Sequence, residues 1–258
     1  MDASSNFMVE ASTRTRPIDR IRYLYAATSA LLLVLTFLGF QQFYLRGKAF
    51  PDRPLTPPIR TLVIAHGVSM SAWMILLLVQ SLLVVGRKNR LHMALGKVGG
   101  VLAVAIFVLG FKLGIEATRV SPPEVRLWNL PYKQFMAVPI ISITIFAWLV
   151  GVGIWKRRRP EIHRPAMLLA TLAAMSAAMD RIDAIASLYR QSLWGALFGP
   201  FFSALVIGAV FLLLEWGLTR KFDRYFAVGF AGLVAASAGI MRFATTDAWD
   251  HIADFLLG

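Results

Sequence analysis

The chain has no cysteine, only 14 acidic residues among 258, and just four histidines. Without cysteine there is no disulfide, no thiolate metal site and no cysteine nucleophile. The scarcity of charge is equally informative. Charged residues make up 16% of the chain against 57% hydrophobic, and the mean hydropathy is +0.63. Soluble domains carry about a quarter charged residues, so this composition predicts an integral membrane protein. The formal net charge of +13 fits basic residues gathered in cytoplasmic loops. Apart from that charge nothing points to nucleic acid.

Apolar runs long enough to cross roughly 30 Å as helix need about 20 residues. They occur near 23–45, 60–86, 92–115, 134–156, 163–186, 196–218 and 225–243. The reading is all-α: a polytopic bundle of seven transmembrane helices in one membrane domain over 23–258, behind a polar tail over 1–22. A membrane barrel would instead show alternating segments of roughly ten residues. The first run is too long for a signal-peptide core and has no small-residue cleavage site after it, so it is expected to stay as an anchor. The last run ends near Arg242 and is followed by an amphipathic tail, TTDAWDHIADFLLG. The first loop, RGKAFPDRPLTPPIR, holds four prolines and cannot be helical throughout. Pro139 and Pro200 are expected to kink spans four and six.

Loop charge predicts orientation. Fifteen Lys and Arg fall in the N-terminal segment and the loops after spans two, four and six, against eight in the alternate loops. The excess predicts a cytoplasmic N-terminus and an external C-terminus.

Helical periodicity then says what faces inward. Gly96, Gly99, Gly110 and Gly114 share a face of span three with His92, and such small-residue stripes mark close helix packing in lipid. In span two His66, Trp73 and Gln80 recur every seven residues, within about 40° of one another. His163 and Arg181 are eighteen residues apart, five helical turns, so they share a face of span five if that helix is continuous. Two polar layers are expected. An inner one holds His92, His163 and Gln80. An outer one holds His66, Asp180, Arg181 and Asp183, with Arg181 paired to one of its acids and a Lys112–Glu116 pair nearby. Asp247, Asp250 and His251 of the tail could cover it.

The stretches HGVSMSAWMILLLVQ, LHMALGKV and EIHRPAMLLATLAAMSAAMDRI together resemble an uncharacterised family of bacterial multi-spanning membrane proteins. That family carries a His…Gln span, a following His-x-x-x-Gly motif and a later His-Arg…Met…Arg span. The likeness covers about residues 60 to 186. It departs at Met93 and Ala94, where the family usually has a basic residue after His92. The family is similar in layout to four-helix b-type cytochromes. It therefore implies a bacterial cytoplasmic-membrane location, and by analogy haem b and membrane electron transfer.

Three functional expectations result. Haem b needs two imidazoles, or one with Met, at matched depth on facing helices; His92 and His163 meet that condition, with Met70, Met93 and Met167 as further candidates. A divalent metal such as zinc, as in intramembrane hydrolases, would draw on His66, Asp180, Asp183 and His251; the helix-borne His-x-x-x-His signature is missing. A small-molecule or quinone-like ligand would use the same charges, Asp180, Arg181 and Asp183, around a cavity framed by Pro139 and Pro200; the candidates for a bound cofactor are together His66, Gln80, His92, His163 and Arg181. No hydrolytic nucleophile stands out.

Overall fold

A computed structural model describes residues 17–50, 53–54, 57, 59–122 and 124–258. Most of the polar N-terminal tail, with Arg14 and Arg16, lies outside the described residues, as does part of the proline-rich loop. Seven helical segments are long and apolar enough to span a membrane, and the chain is a multi-pass helical membrane protein. In chain order the helices are α1 (Pro17–Gly39), α2 (Gln41–Arg46), α3 (Arg60–Val85), α4 (Asn89–Arg119), α5 (Tyr132–Phe135), α6 (Ala137–Trp155), α7 (Pro160–Ala174), α8 (Ser176–Asp180), α9 (Asp183–Ala186), α10 (Leu193–Phe198), α11 (Phe202–Thr219), α12 (Arg224–Phe243) and α13 (Asp247–Leu257). Two short antiparallel pairs lie in loops: β1 (Lys48–Phe50) with β2 (Arg53–Pro54), and β3 (Arg126–Leu127) with β4 (Leu130–Pro131).

The expected spans are present, with three differences that have local causes. Span one ends at Gly39, and Gln41–Arg46 restarts as a separate turn after Phe40. Span five tightens at Met175, whose N–H bonds to the Leu172 carbonyl at 3.2 Å instead of to that of the residue before it. The helix then resumes as α8 and ends at Asp180, so Asp183 lies beyond it and the continuous-helix register from His163 to Arg181 does not apply. Span six begins with α10, and Pro200 sits in a 3-10 turn, Gly199–Phe201, that joins α10 to α11. Pro139 lies in the first turn of α6, where its missing N–H costs nothing.

Helices α1, α3, α4, α6, α12 and α11 pack each on the next and back to α1, forming a ring. Helix α7 sits inside it against α6, α11 and α12. Its span is 67% buried within the protein, more than any other. The sequence explains this central place: LLATLAA is built of alanine, threonine and leucine, small enough for neighbours to approach from every side. The outer faces carry exposed Val68, Ile75, Val101, Val104, Leu213 and Val228, the surface expected against lipid tails.

The glycine stripe of α4 packs inward from Gly99 onward, whereas Gly96, beside His92 at its start, is exposed. Gly99, Gly110 and Gly114 are buried. A Cβ on Gly114 would lie 2.9 Å from Ile140 Cδ1, so a larger residue here would push the Ile140 side chain aside. The tail folds as α13, N-capped by the Thr246 hydroxyl, with Trp249 and Ala253 buried. Lys133 holds it through Asp254 at 2.7 Å and Asp250 at 3.9 Å. It packs on α4 and α5. Glu116 pairs with Arg119 at 3.1 Å in place of the expected Lys112, which is exposed.

Candidate functional site: an interior cavity and its polar mouth

The inward stripe of α3 organises the interior. Trp73, at its middle, is buried; its indole N–H donates to Thr171 Oγ1 of α7 at 3.1 Å, and its ring meets Phe146 edge-on at 4.9 Å. This clamp separates two polar regions. His66 lies on one side of it, and Gln80 lies about 21 Å further along the helix at 1.5 Å per residue.

On the His66 side a cavity of about 290 Å³ opens between α3, α4, α6 and the α7–α8 segment. Small residues leave the space: Gly110 and Gly114 on one wall, Ala174, Ser176 and Ala177 on another. Met70, Met74, Val63 and Ile143 make it largely apolar, with Tyr132 and Arg181 among its polar groups. A Cβ on Gly110 would stand 2.9 Å from His66 Cε1, so this glycine makes room for the imidazole. His66 Nδ1 is buried and has no hydrogen-bond partner. An unpaired nitrogen of that kind costs about 1–3 kcal/mol, and a ligand's polar atom would remove the cost.

Above the cavity lies a wider vestibule of about 550 Å³. Phe40, Phe43, Leu127, Asp180 and Arg181 line both spaces and form the neck between them. Arg181 and Asp180 attract each other electrostatically, as adjacency suggested, while their hydrogen bonds go elsewhere. Arg181 Nη1 donates to the Ala177 carbonyl at 2.6 Å, and its guanidinium stands 4.7 Å from the centre of the Phe40 ring. Asp180 instead accepts from the Trp128 indole at 2.9 Å and pairs with Arg190 at 3.6 Å. Arg190 also reaches Asp183 at 3.5 Å. Trp128 is delivered by the tight β3–β4 turn, where Trp128 and Asn129 both have positive φ, 53° and 62°. Two such residues in a two-residue loop match the twist of a hairpin, although a Trp there is strained. Its ring stacks on Tyr189 at 5.5 Å. Burial raises the Tyr189 phenol above its usual pKa, so it remains an O–H, sharing a 3.1 Å hydrogen bond with Ser203. The vestibule carries Arg126, Arg181 and Arg190 against Asp180 and Asp183, an excess of positive charge.

On the far side of Trp73 the structure brings His92 and His163 together, ring centroids 6.2 Å apart and nearly perpendicular. His163 Nδ1 bonds the Gly153 carbonyl at 2.9 Å, and Gln80 Nε2 donates to the His92 carbonyl at 3.1 Å. The separation suits one ion held between two imidazoles. A macrocycle needs in addition a flat apolar slot around that axis, and both cavities described above lie on the His66 side, lined by neither ring. At this separation the pair meets the condition for two axial imidazoles.

The expected outer metal set is only partly assembled. His66 and Asp180 line one cavity, whereas Asp183 is largely exposed, at 82% of its side chain, and His251 is exposed on α13. Among the described residues no three of His, Asp and Glu converge. Sequence reasoning did not place Trp128, Tyr132 and Arg190 at the site: Trp128 and Arg190 come from loops, and Tyr132 from the single turn α5, with no periodicity to read. It also missed Glu215, buried in α11 at 4% exposure. An acid inside the apolar run ALVIGAVFLLLEWG was a legible signal for that one.

The arrangement defines a class: a polytopic helical membrane protein with an interior cavity that opens through a charged neck. No known family model, curated protein or solved structure matches the chain.

Proposed function

We propose that this is a bacterial cytoplasmic-membrane protein, N-terminus inside, that binds a small amphipathic ligand with an electron-rich head, of quinone-like or short-chain carboxylate chemistry. The observation that carries the reading is the unpaired, buried His66 Nδ1 on a largely apolar cavity whose neck is formed by Arg181. With its proton on Nδ1, His66 donates to a carbonyl or carboxylate oxygen. Arg181 supplies a second donor and a charge. The methionines and Ile143 take the ligand's apolar body, Met by virtue of its adaptable shape. At about 290 Å³ the cavity is at the lower edge of the usual range of about 300–1,000 Å³, which suits one ring with short substituents. This reading stands ahead of haem-centred electron transfer and of zinc hydrolysis because the enclosed space, the unpaired nitrogen and the excess of arginine coincide at one place.

The test is equilibrium binding to protein in lipid nanodiscs. A short-chain benzoquinone analogue and a short-chain carboxylate are titrated in parallel, with intrinsic tryptophan fluorescence as readout. One of the two should bind saturably, and His66→Ala or Arg181→Met should weaken it about tenfold or more, the value of one lost hydrogen bond to a charged or buried group. Non-saturable quenching by both, or affinities untouched by both substitutions, would sink the proposal.

A further inference from the structure

His92 and His163 stand on α4 and α7 and meet at the end of the bundle away from the cavity. The Gly153 carbonyl can only accept, so its 2.9 Å bond to His163 Nδ1 places the proton on that nitrogen. In the neutral ring Nε2 is then a bare lone pair. This is the arrangement by which metal-binding histidines are oriented through a backbone carbonyl. Two further atoms are buried and lack a hydrogen-bond partner: His92 Nδ1 and Gln80 Oε1. The amide nitrogen of Gln80 is already committed to the His92 carbonyl, and an amide oxygen only accepts. When the His92 proton sits on Nε2, its Nδ1 is a second bare lone pair beside the Gln80 amide oxygen, and a cation satisfies these acceptors.

Geometry and charge narrow which cation. Metal–nitrogen bonds of about 2.0–2.1 Å place two imidazole centroids that share one ion about 5–6.5 Å apart, widest when the two bonds are collinear. The observed 6.2 Å falls near the collinear end. No Asp or Glu joins the pair to make a group of three among the described residues, so the ligands are neutral. Arg87, Lys88 and Arg90 precede His92, and Arg157, Arg158 and Arg159 precede His163, which disfavours a doubly charged ion. Imidazole suits copper, and copper in its singly charged state is soft and content with few ligands. We propose that His92 and His163, with Gln80 beside them, form a two-imidazole site for a single cuprous ion.

The test is an anaerobic titration of detergent-purified, metal-stripped protein with Cu(I) against a chromophoric cuprous chelator. One ion per chain is expected. His92→Ala and His163→Ala should each weaken binding roughly tenfold or more, while His66→Ala, the variant that tests the cavity, should leave it unchanged. Binding that survives both substitutions overturns the site, as does tighter binding of Zn²⁺ than of Cu(I). A Soret band that appears when haem is supplied during expression, and disappears in both variants, overturns it in favour of haem. His163→Ala also removes the Gly153 bond and can disturb folding, so X-ray absorption at the copper edge of the unsubstituted, loaded protein provides the second measurement. Imidazole nitrogen scattering supports the site, and a shell of oxygen or sulfur alone overturns it.

Discussion

Asp180 and Arg181 are neighbours in the chain and attract each other, yet their hydrogen bonds diverge: the acid accepts from Trp128 and pairs with Arg190, while the guanidinium donates to the Ala177 carbonyl and lies over the Phe40 ring. Asp180→Ala would strand the Trp128 indole N–H and remove one of the two acids on Arg190. Because Trp128 is half-buried, we expect the substitution to lower stability in detergent by about 1 kcal/mol, the lower end of the cost of an orphaned donor. Asp180→Asn, which keeps an acceptor for Trp128, should cost less; thermal unfolding of the two variants checks the order. Gly110→Ala addresses the cavity directly. Its Cβ would stand 2.9 Å from His66 Cε1 and 3.0 Å from Ile143 Cγ1, so the imidazole must shift. Overpacking of this kind costs about 1–3 kcal/mol, and ligand affinity should fall with it. Equal affinity in Gly110→Ala and the parent would show that the position of His66 is immaterial. The inward stripe of α3 and the glycine stripe of α4 were legible beforehand, because a helix turns by a constant angle and residue spacing alone fixes a shared face. The partners of Asp180 were not. Arg190 and Trp128 come from loops, where no period relates position in sequence to position in space.

At the scale of elements, the decisive feature is how closely α1 approaches α8. A Cβ on Gly39 would strike the Ala178 carbonyl, and backbone on both sides leaves nothing flexible to move. Gly39→Ala should therefore cost at or beyond the upper end of the range of about 1–3 kcal/mol for overpacking, and should disturb the neck, because Phe40 and Arg181 follow these two contact points. A stable variant with unaltered ligand binding would contradict this. The tail shows the opposite dependence, on filling space. Trp249 is 2% exposed, its indole N–H donates to the Lys133 carbonyl at 3.1 Å, and Phe243 meets it edge-on. Trp249→Ala should lose about 3–5 kcal/mol and expose α13 to limited proteolysis. Amphipathicity announced α13 from sequence. The tightening at Met175 had no such signal, since MLLATLAAMSAAM contains neither Gly nor Pro and its helix propensity is unbroken.

For the whole molecule, the absence of cysteine makes orientation directly measurable, because any introduced thiol is the only one present. Ser187→Cys lies in the segment between α9 and α10, and Lys88→Cys between α3 and α4, at opposite ends of the bundle. With the N-terminus inside, a membrane-impermeant maleimide added to intact cells should label Ser187→Cys and spare Lys88→Cys; the reverse pattern would invert the topology. The seven spans, their inward stripes and the charge asymmetry between alternate loops were determined by the sequence alone. Each is a property of local composition or of a fixed helical period. Tertiary structure alone decided that α7 is the central helix, that His66 and Arg181 share a cavity, and that His92 meets His163. In lipid the inner and outer faces of a helix are both apolar, so hydrophobicity does not tell one from the other; helices choose neighbours by close fit and polar contact across the interface, and that fit exists only once the whole ring is assembled.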